Sequence, residues 1–291
     1  MKKVIVITGP TAVGKTKVAI EIAKRLKTPL INGDAFQIYK GLDILTAKPS
    51  KLELQEVKHY LMDELDPTKE FSIFQYQKMV RAIIEELDIP IIVGGSGLYI
   101  DSVIYNYQFD KEVIEFDDSP YTDEELYAML EKLDPENASK MHPHNRKRVA
   151  RAIRLAKTNN NTNRHMKDEL YYEPLIICLS LPRDVLYERI NKRVLGMIED
   201  GLIDEVKKTT DIGPQASKAI GFLDTKAYLN GEITKEELIE KISKDSRHYA
   251  KRQLTWYRNH PNTVMVDVNS SDLDETINKI EKLIITFFNK E

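Results

Sequence analysis

The clearest chemistry in the chain lies in Gly9-Pro10-Thr11-Ala12-Val13-Gly14-Lys15-Thr16, the pattern G-x-x-x-x-G-K-T. In such a loop the glycines turn backbone N–H groups inward around an oxyanion. The lysine adds a point charge, and the threonine hydroxyl can ligate Mg2+. The motif implies a phosphorylated ligand and leaves open whether that ligand is a nucleotide. Asp34, in Asn32-Gly33-Asp34-Ala35-Phe36-Gln37, follows a short apolar run. At such a strand end a carboxylate can accept a proton from a nucleophile or hold Mg2+ through water. Its residue type fits equally a turn aspartate that caps a backbone N–H. Gly94-Gly95-Ser96-Gly97 ends another apolar run, where a P-loop nucleotide hydrolase would often carry a metal-binding aspartate. Bare glycine there favours close approach of a ligand or nucleic-acid backbone, or simply a tight turn. Asp101 follows four residues later.

Three further stretches are basic. Arg146-Lys147-Arg148-Val149-Ala150-Arg151-Ala152-Ile153-Arg154 holds five cations and no acid. Arg148, Arg151 and Arg154 share one side of a helix, as a phosphate-contact stripe or a solvated face. Arg189 and Arg193, one helical turn apart, could both reach the P-loop anion or pair with Glu188 and Glu199. The stretch Arg247 to Arg258 mixes four Arg or Lys residues with Tyr249, Trp256 and Tyr257 and has no acid. Cations interleaved with aromatics suit RNA, whose splayed bases stack while its phosphates pair. The competing account buries Trp256 and Leu254 and lets the cations snorkel outward.

These residues need elements to hold them. Lys2 to Ile7 predicts a buried strand, and Val18, Ile22 and Leu26 mark one face of the following helix, whose N-terminus points at the anion. Further strands are expected at Pro29–Asn32, Ile89–Val93, Leu175–Leu181 and Thr263–Val266. Helices are expected from Ser72, over 185–198, and from a capping box at Thr234 to about His260. Strands alternating with helices predict an α/β fold, a P-loop-containing parallel sheet with flanking helices and its site at the carboxyl ends of the strands. Residues 110–125 carry eight acids against one lysine and lead into a helix at 124–133. This predicts a small inserted helical segment at 110–140, off a catalytic core formed by 1–109 and 141–291. Thr158 to Asn163 reads as a mobile loop.

At 42% hydrophobic and 31% charged, the 291 residues can build a core and remain soluble. A net charge of −3 argues against coating nucleic acid with the whole surface. The single cysteine, Cys178, excludes a disulfide framework and a cysteine zinc site. No apolar run is long enough for a signal peptide or membrane span, so a cytoplasmic protein without membrane contact is expected.

Several segments in fixed order carry a resemblance. The P-loop is followed by Gly33-Asp34 with Gln37, Tyr39, Gly41 and Asp43, then by Thr46-Ala47-Lys48-Pro49 and Gly94-Gly95-Ser96-Gly97-Leu98-Tyr99. His142-Pro143 with Asn145 and Arg148 come next. Ala219-Ile220-Gly221-Phe222 and Tyr249-Ala250-Lys251-Arg252-Gln253 with Thr255-Trp256 close the set. In that order the chain resembles the tRNA dimethylallyltransferases (tRNA isopentenyltransferases) over residues 3–105 and 135–260.

The resemblance implies transfer of a dimethylallyl group from dimethylallyl diphosphate to N6 of adenine 37 in tRNA, with Mg2+ as cofactor. Residues Gly9 to Thr16 would then hold diphosphate, and Thr16 the metal. Asp34 matches the family's general base, and Thr11 and Arg193 match its diphosphate positions. Asp34, Ala35, Phe36, Gln37, Ser96, Lys147, Arg148, Val149, Ala150, Arg151, Lys251 and Arg252 are the expected tRNA contacts, in a monomer. The chain departs from the family at Ala35, where serine is usual, and at Ser96, where threonine is usual. The segment after Tyr107 is short, acidic and without the family's basic residue. The zinc-finger extension of eukaryotic members is absent, an expectation of bacterial origin. Three other readings remain at this level: a transferase that prenylates free adenine nucleotides, a P-loop kinase for a small metabolite, and a non-catalytic nucleotide sensor.

Overall fold

A computed structural model describes residues 1–109, 116–157 and 169–289. In chain order the elements are β1 (Lys3–Thr8), α1 (Lys15–Leu26), β2 (Leu30–Asn32), α2 (Lys51–Glu56), β3 (His59–Tyr60), α3 (Ile73–Glu86), β4 (Ile91–Val93) and α4 (Gly97–Ile104). They continue with α5 (Asp123–Leu133), α6 (Pro135–Ala138), α7 (Arg146–Lys157), β5 (Glu173–Ser180), α8 (Arg183–Glu199) and α9 (Leu202–Lys208). The last are α10 (Phe222–Leu229), α11 (Lys235–Arg258), β6 (Thr263–Asp267) and α12 (Leu273–Asn289). The six strands form one parallel sheet in the order β3-β2-β4-β1-β5-β6. The expected α/β class and parallel sheet are therefore present.

The sheet is centred on its most apolar strand. Val4, Ile5, Val6 and Ile7 of β1 are wholly buried, as a strand covered on both faces must be. Each such side chain contributes about 1.5–3 kcal/mol relative to exposure. Val18 and Ile22 of α1 and Ile277, Ile280 and Ile284 of α12 belong to the same core. Ser72 and Thr234 each form a capping box with the residue three positions on, starting α3 and α11 where the sequence predicts. No described helix is long and apolar enough to cross a membrane.

The chain divides into two compact units, residues 1–104 with 171–291, and residues 105–170. The second is wider than the expected 110–140 segment because α7 belongs to it. Val149, Ala152 and Ile153 of α7 pack with Leu126 and Leu130 of α5 and Ala138 of α6. The acid-rich composition marks only the first part of this unit. Its acids meet its own arginines. Asp118 takes an ion pair from Arg146 at 3.2 Å and another from Arg154 at 3.4 Å, and Asp123 pairs with Arg146 at 3.0 Å. Residues 110–115 of the acidic stretch and the expected loop at 158–163 lie outside the described residues.

The turn after β4 is packed to contact. A Cβ on Gly94 would lie 2.1 Å from the carbonyl carbon of Gly33, so two main chains touch where only glycine fits. Gly94→Ala must push backbone against backbone. It is expected to lower stability by about 1–3 kcal/mol or more, read as a reduced urea midpoint with an unchanged slope.

Candidate active site

The P-loop joins β1 to α1. Gly14 caps α1 with φ 104°, a left-handed conformation that favours glycine. The Lys15 ammonium donates to the carbonyls of Gly9 and Pro10, both at 2.9 Å. Arg193, from α8, donates to Thr11 Oγ1 and to the Ala47 carbonyl, both at 3.2 Å. It therefore reaches the P-loop as expected. Arg189 does not; its guanidinium donates to Ser270 Oγ at 2.9 Å.

Asp34 sits at the end of β2. Its N–H donates to Asn32 Oδ1 and its Oδ1 accepts the Phe36 N–H, each at 2.9 Å. The turn-capping role and a carboxylate that lines a cavity thus coexist. Asp34 lines the same cavity as Lys15, Thr16, Thr11 and Arg193, a space of about 310 Å³. A second, mostly apolar cavity of about 210 Å³ shares Asp34, Thr11, Ala47 and Arg193 with it. Phe36, Leu45, Ile190, Val194 and Met197 are among its walls. Diphosphate chemistry and an apolar group can meet at Asp34.

Burial shapes the charges. Desolvation raises the Asp34 carboxyl above the ordinary carboxylate range, although the Phe36 N–H and the Lys15 and Arg193 charges oppose it. Desolvation also lowers Lys15 to about 8, aided by Arg193 and opposed by Asp34. A raised carboxylate beside cations suits a general base that must hold a proton for part of a cycle.

Other expected residues are more specific in role than the sequence implied. Ser96 Oγ accepts the Ala35 N–H at 3.1 Å. Gln37 donates to the carbonyls of Thr46 and Ala47 at 3.1 and 3.2 Å, so it shapes the loop that Arg193 grips. Phe36 is part-buried. Lys147, Arg148 and Arg151 are exposed on α7, whereas Val149 and Ala150 are buried. The Val149 and Ala150 side chains are interior, because an amphipathic helix turns them inward. Arg146 and Arg154 serve the unit's own ion pairs, which removes them from a free phosphate stripe. Lys251 and Arg252 are exposed on α11.

The glycines at 95 and 97 also change meaning. A Cβ on Gly95 would lie 2.0 Å from the Gln253 side-chain nitrogen, and one on Gly97 would lie 2.5 Å from Trp256. What approaches this bare main chain is α11, not a ligand.

Three contributors escape residue-by-residue reading. Gln253 accepts the Thr11 N–H at 2.8 Å and donates to the Gly95 carbonyl at 3.1 Å. Tyr249 borders both cavities. Both lie in the basic–aromatic stretch and in the closing motif of the resemblance, neither of which says what they touch. Glu205 accepts the N–H groups of Asp43, Ile44 and Leu45, each at 2.8 Å, and so fixes the loop whose Ala47 carbonyl holds Arg193. Nothing in its local sequence marks it.

The family model described as IPP transferase matches residues 37–260. The chain belongs to the IPP transferase family. Curated relatives named tRNA dimethylallyltransferase include that of Anoxybacillus flavithermus, 42% identical over 94% of this chain and 93% of its own length. That of Bacillus subtilis is 43% identical over 91% of this chain and 90% of its own. Among solved IPP transferases, the full-length tRNA isopentenylpyrophosphate transferase of Bacillus halodurans is 40% identical. Its TM-score is 0.76, covering 98% of this chain and 96% of that one. A eukaryotic dimethylallyltransferase acting on tRNA has a TM-score of 0.83 at 26% identity, covering 99% of this chain and 79% of its own.

With Lys15 at about 8, the cationic form declines as pH rises through that value in the free protein. Affinity for a diphosphate monoester is expected to weaken as pH rises above about 8, approaching roughly tenfold per pH unit. Calorimetric titration across this range checks it, and Lys15→Met should abolish the alkaline limb.

Proposed function

We propose that the chain transfers a dimethylallyl group from dimethylallyl diphosphate to N6 of adenine 37 in tRNA. The observation that carries the reading is Asp34, a raised carboxylate shared by a cationic cavity and an apolar one. The diphosphate lies against Lys15, Arg193, Thr11 and the P-loop N–H groups. The five-carbon chain enters the apolar space. The exocyclic amine attacks the allylic carbon as the carbon–oxygen bond to diphosphate breaks, and Asp34 accepts the proton that nitrogen loses. Such a base contributes typically about 10²–10⁴ in rate, because the adenine amine is a poor nucleophile. Each preorganised donor on the leaving group is worth about 10²–10³.

Mg2+ fits this cavity through few protein ligands. Thr16 and Asp34 both line it, and no cluster of three His, Cys, Asp or Glu residues suited to a metal exists among the described residues. Mg2+ favours such sites, taking one or two protein oxygens and completing its shell with phosphate and water. Thr16 would hold the ion, which would neutralise charge on the departing diphosphate. The adenine leaves its stack to reach Asp34. The exposed cations Lys147, Arg148, Arg151, Lys251 and Arg252 supply phosphate contacts. A free nucleotide would need no such set.

The test is mass spectrometry of nucleosides from unmodified tRNA incubated with the protein, Mg2+ and dimethylallyl diphosphate, beside an AMP control. Adenosine heavier by one isoprene unit, in tRNA alone, is the expected result. Product on AMP would move the acceptor to a free nucleotide. No product on either, with ATP turnover on a small acceptor, would replace the reading with a kinase.

A further inference from the structure

The outer face of α11 carries a feature that the reaction at Asp34 does not use. Trp256 is the only tryptophan in the chain, and it is 41% exposed. A lone exposed ring is ordinary on a protein surface; what distinguishes this one is how it is held and what surrounds it. The ring is held in one place. Its Nε1–H donates at 3.1 Å to Oδ2 of Asp101, a carboxylate only 6% exposed on α4. His260 Nε2 lies 3.5 Å from the other oxygen of Asp101. The five-membered edge of the indole rests on Gly97, where any Cβ would collide with it. A buried carboxylate and a bare glycine together fix an aromatic plate at the surface.

The surroundings of that plate are polar or basic. Trp256 borders an open groove of about 670 Å³ with His248, Lys251, Arg252, Thr255 and Asn259. None of these is acidic, so the groove complements a polyanion that carries flat rings. Arg252 borders this groove and also the apolar cavity that contains Asp34. A strand whose one base enters the cavity would therefore carry a neighbouring nucleotide past the groove.

We propose that Trp256, held by Asp101, is a stacking platform for an unpaired base of the RNA next to the base that reacts, with Lys251 and Arg252 on the adjoining phosphates. This deepens the tRNA reading and rests on it. Asp101 is a positioning residue here. Its carboxylate lies inside α4, past the glycines that end β4, and its charge is directed at an indole.

The lone tryptophan makes the site directly observable. Adding an unmodified anticodon stem–loop RNA to the full chain should quench tryptophan emission as binding saturates. A fully paired duplex of equal phosphate count should bind without equivalent quenching. Trp256→Ala should raise KM for the RNA roughly 5- to 150-fold, the range expected for one lost base stack, and leave KM for dimethylallyl diphosphate unchanged. Trp256→Phe keeps a stacking surface and should retain most of the affinity. Asp101→Ala, folded by circular dichroism, should weaken RNA binding in the same direction. RNA that binds and is prenylated without changing tryptophan emission would overturn the platform and leave the reaction standing. So would a Trp256→Ala chain with unaltered KM for RNA. Failure of the reaction itself appears separately, as no modified adenosine from the wild-type chain.

Discussion

One carboxamide holds three parts of the site in register. Gln253 is 4% exposed and bridges the Thr11 N–H to the Gly95 carbonyl, so α11 is bonded to the P-loop and to the turn after β4 at once. Cutting either bond would leave a buried polar group unpaired, at a cost of about 1–3 kcal/mol. The contact exists only because Gly95 and Gly97 have no side chains to hold α11 away. Much else follows from that docking. Tyr249 enters the cavities one turn before Gln253, and Trp256 meets Asp101 one turn after it. Arg252, the residue before Gln253, is exposed and borders both the apolar cavity and the outer groove. A single helix thus carries an inward set that completes the diphosphate site and an outward set suited to RNA.

Asp34 lives under opposed forces. Burial penalises its charged form, while Lys15, Arg193 and the Phe36 N–H favour it, and burial wins. The same burial lowers Lys15 and Arg193. A diphosphate brought into this space would restore the cations' preference for charge. Proton affinity in the site is therefore coupled to the ligand, which is a useful property where one product is an anion and the other step releases a proton. Glu205 and Gln37 brace the 43–47 loop whose Ala47 carbonyl accepts from Arg193.

Much of this was legible because local physics carries it. The G-x-x-x-x-G-K-T loop, flanked by an apolar run and a helix of period near four, has few other uses. The capping boxes at Ser72 and Thr234 place α3 and α11 to the residue. Less local features were not legible. β3 is two residues long, too short for any periodicity. The Ile277, Ile280 and Ile284 stripe of α12 has helical spacing, but its burial against the sheet is a tertiary fact. The glycines of 94–97 looked like room for a ligand because Gln253 and Trp256, which meet them, lie more than 150 residues away in sequence. Charge alone did not divide the Arg146–Arg154 stretch into exposed cations and paired ones. It could not reveal that Asp118 draws two of its arginines back into the unit. Glu205 acts through a tertiary contact and left no trace at all.

The measurement that tests the account most directly is chemical rescue of Asp34→Ala. The account predicts a loss of about 10²–10⁴ in single-turnover prenyl transfer with dimethylallyl diphosphate still bound, and partial recovery on adding formate, which fits the space vacated by the carboxylate. Lost diphosphate binding in Asp34→Ala, with no response to formate, would contradict it and make Asp34 a structural or metal-holding residue.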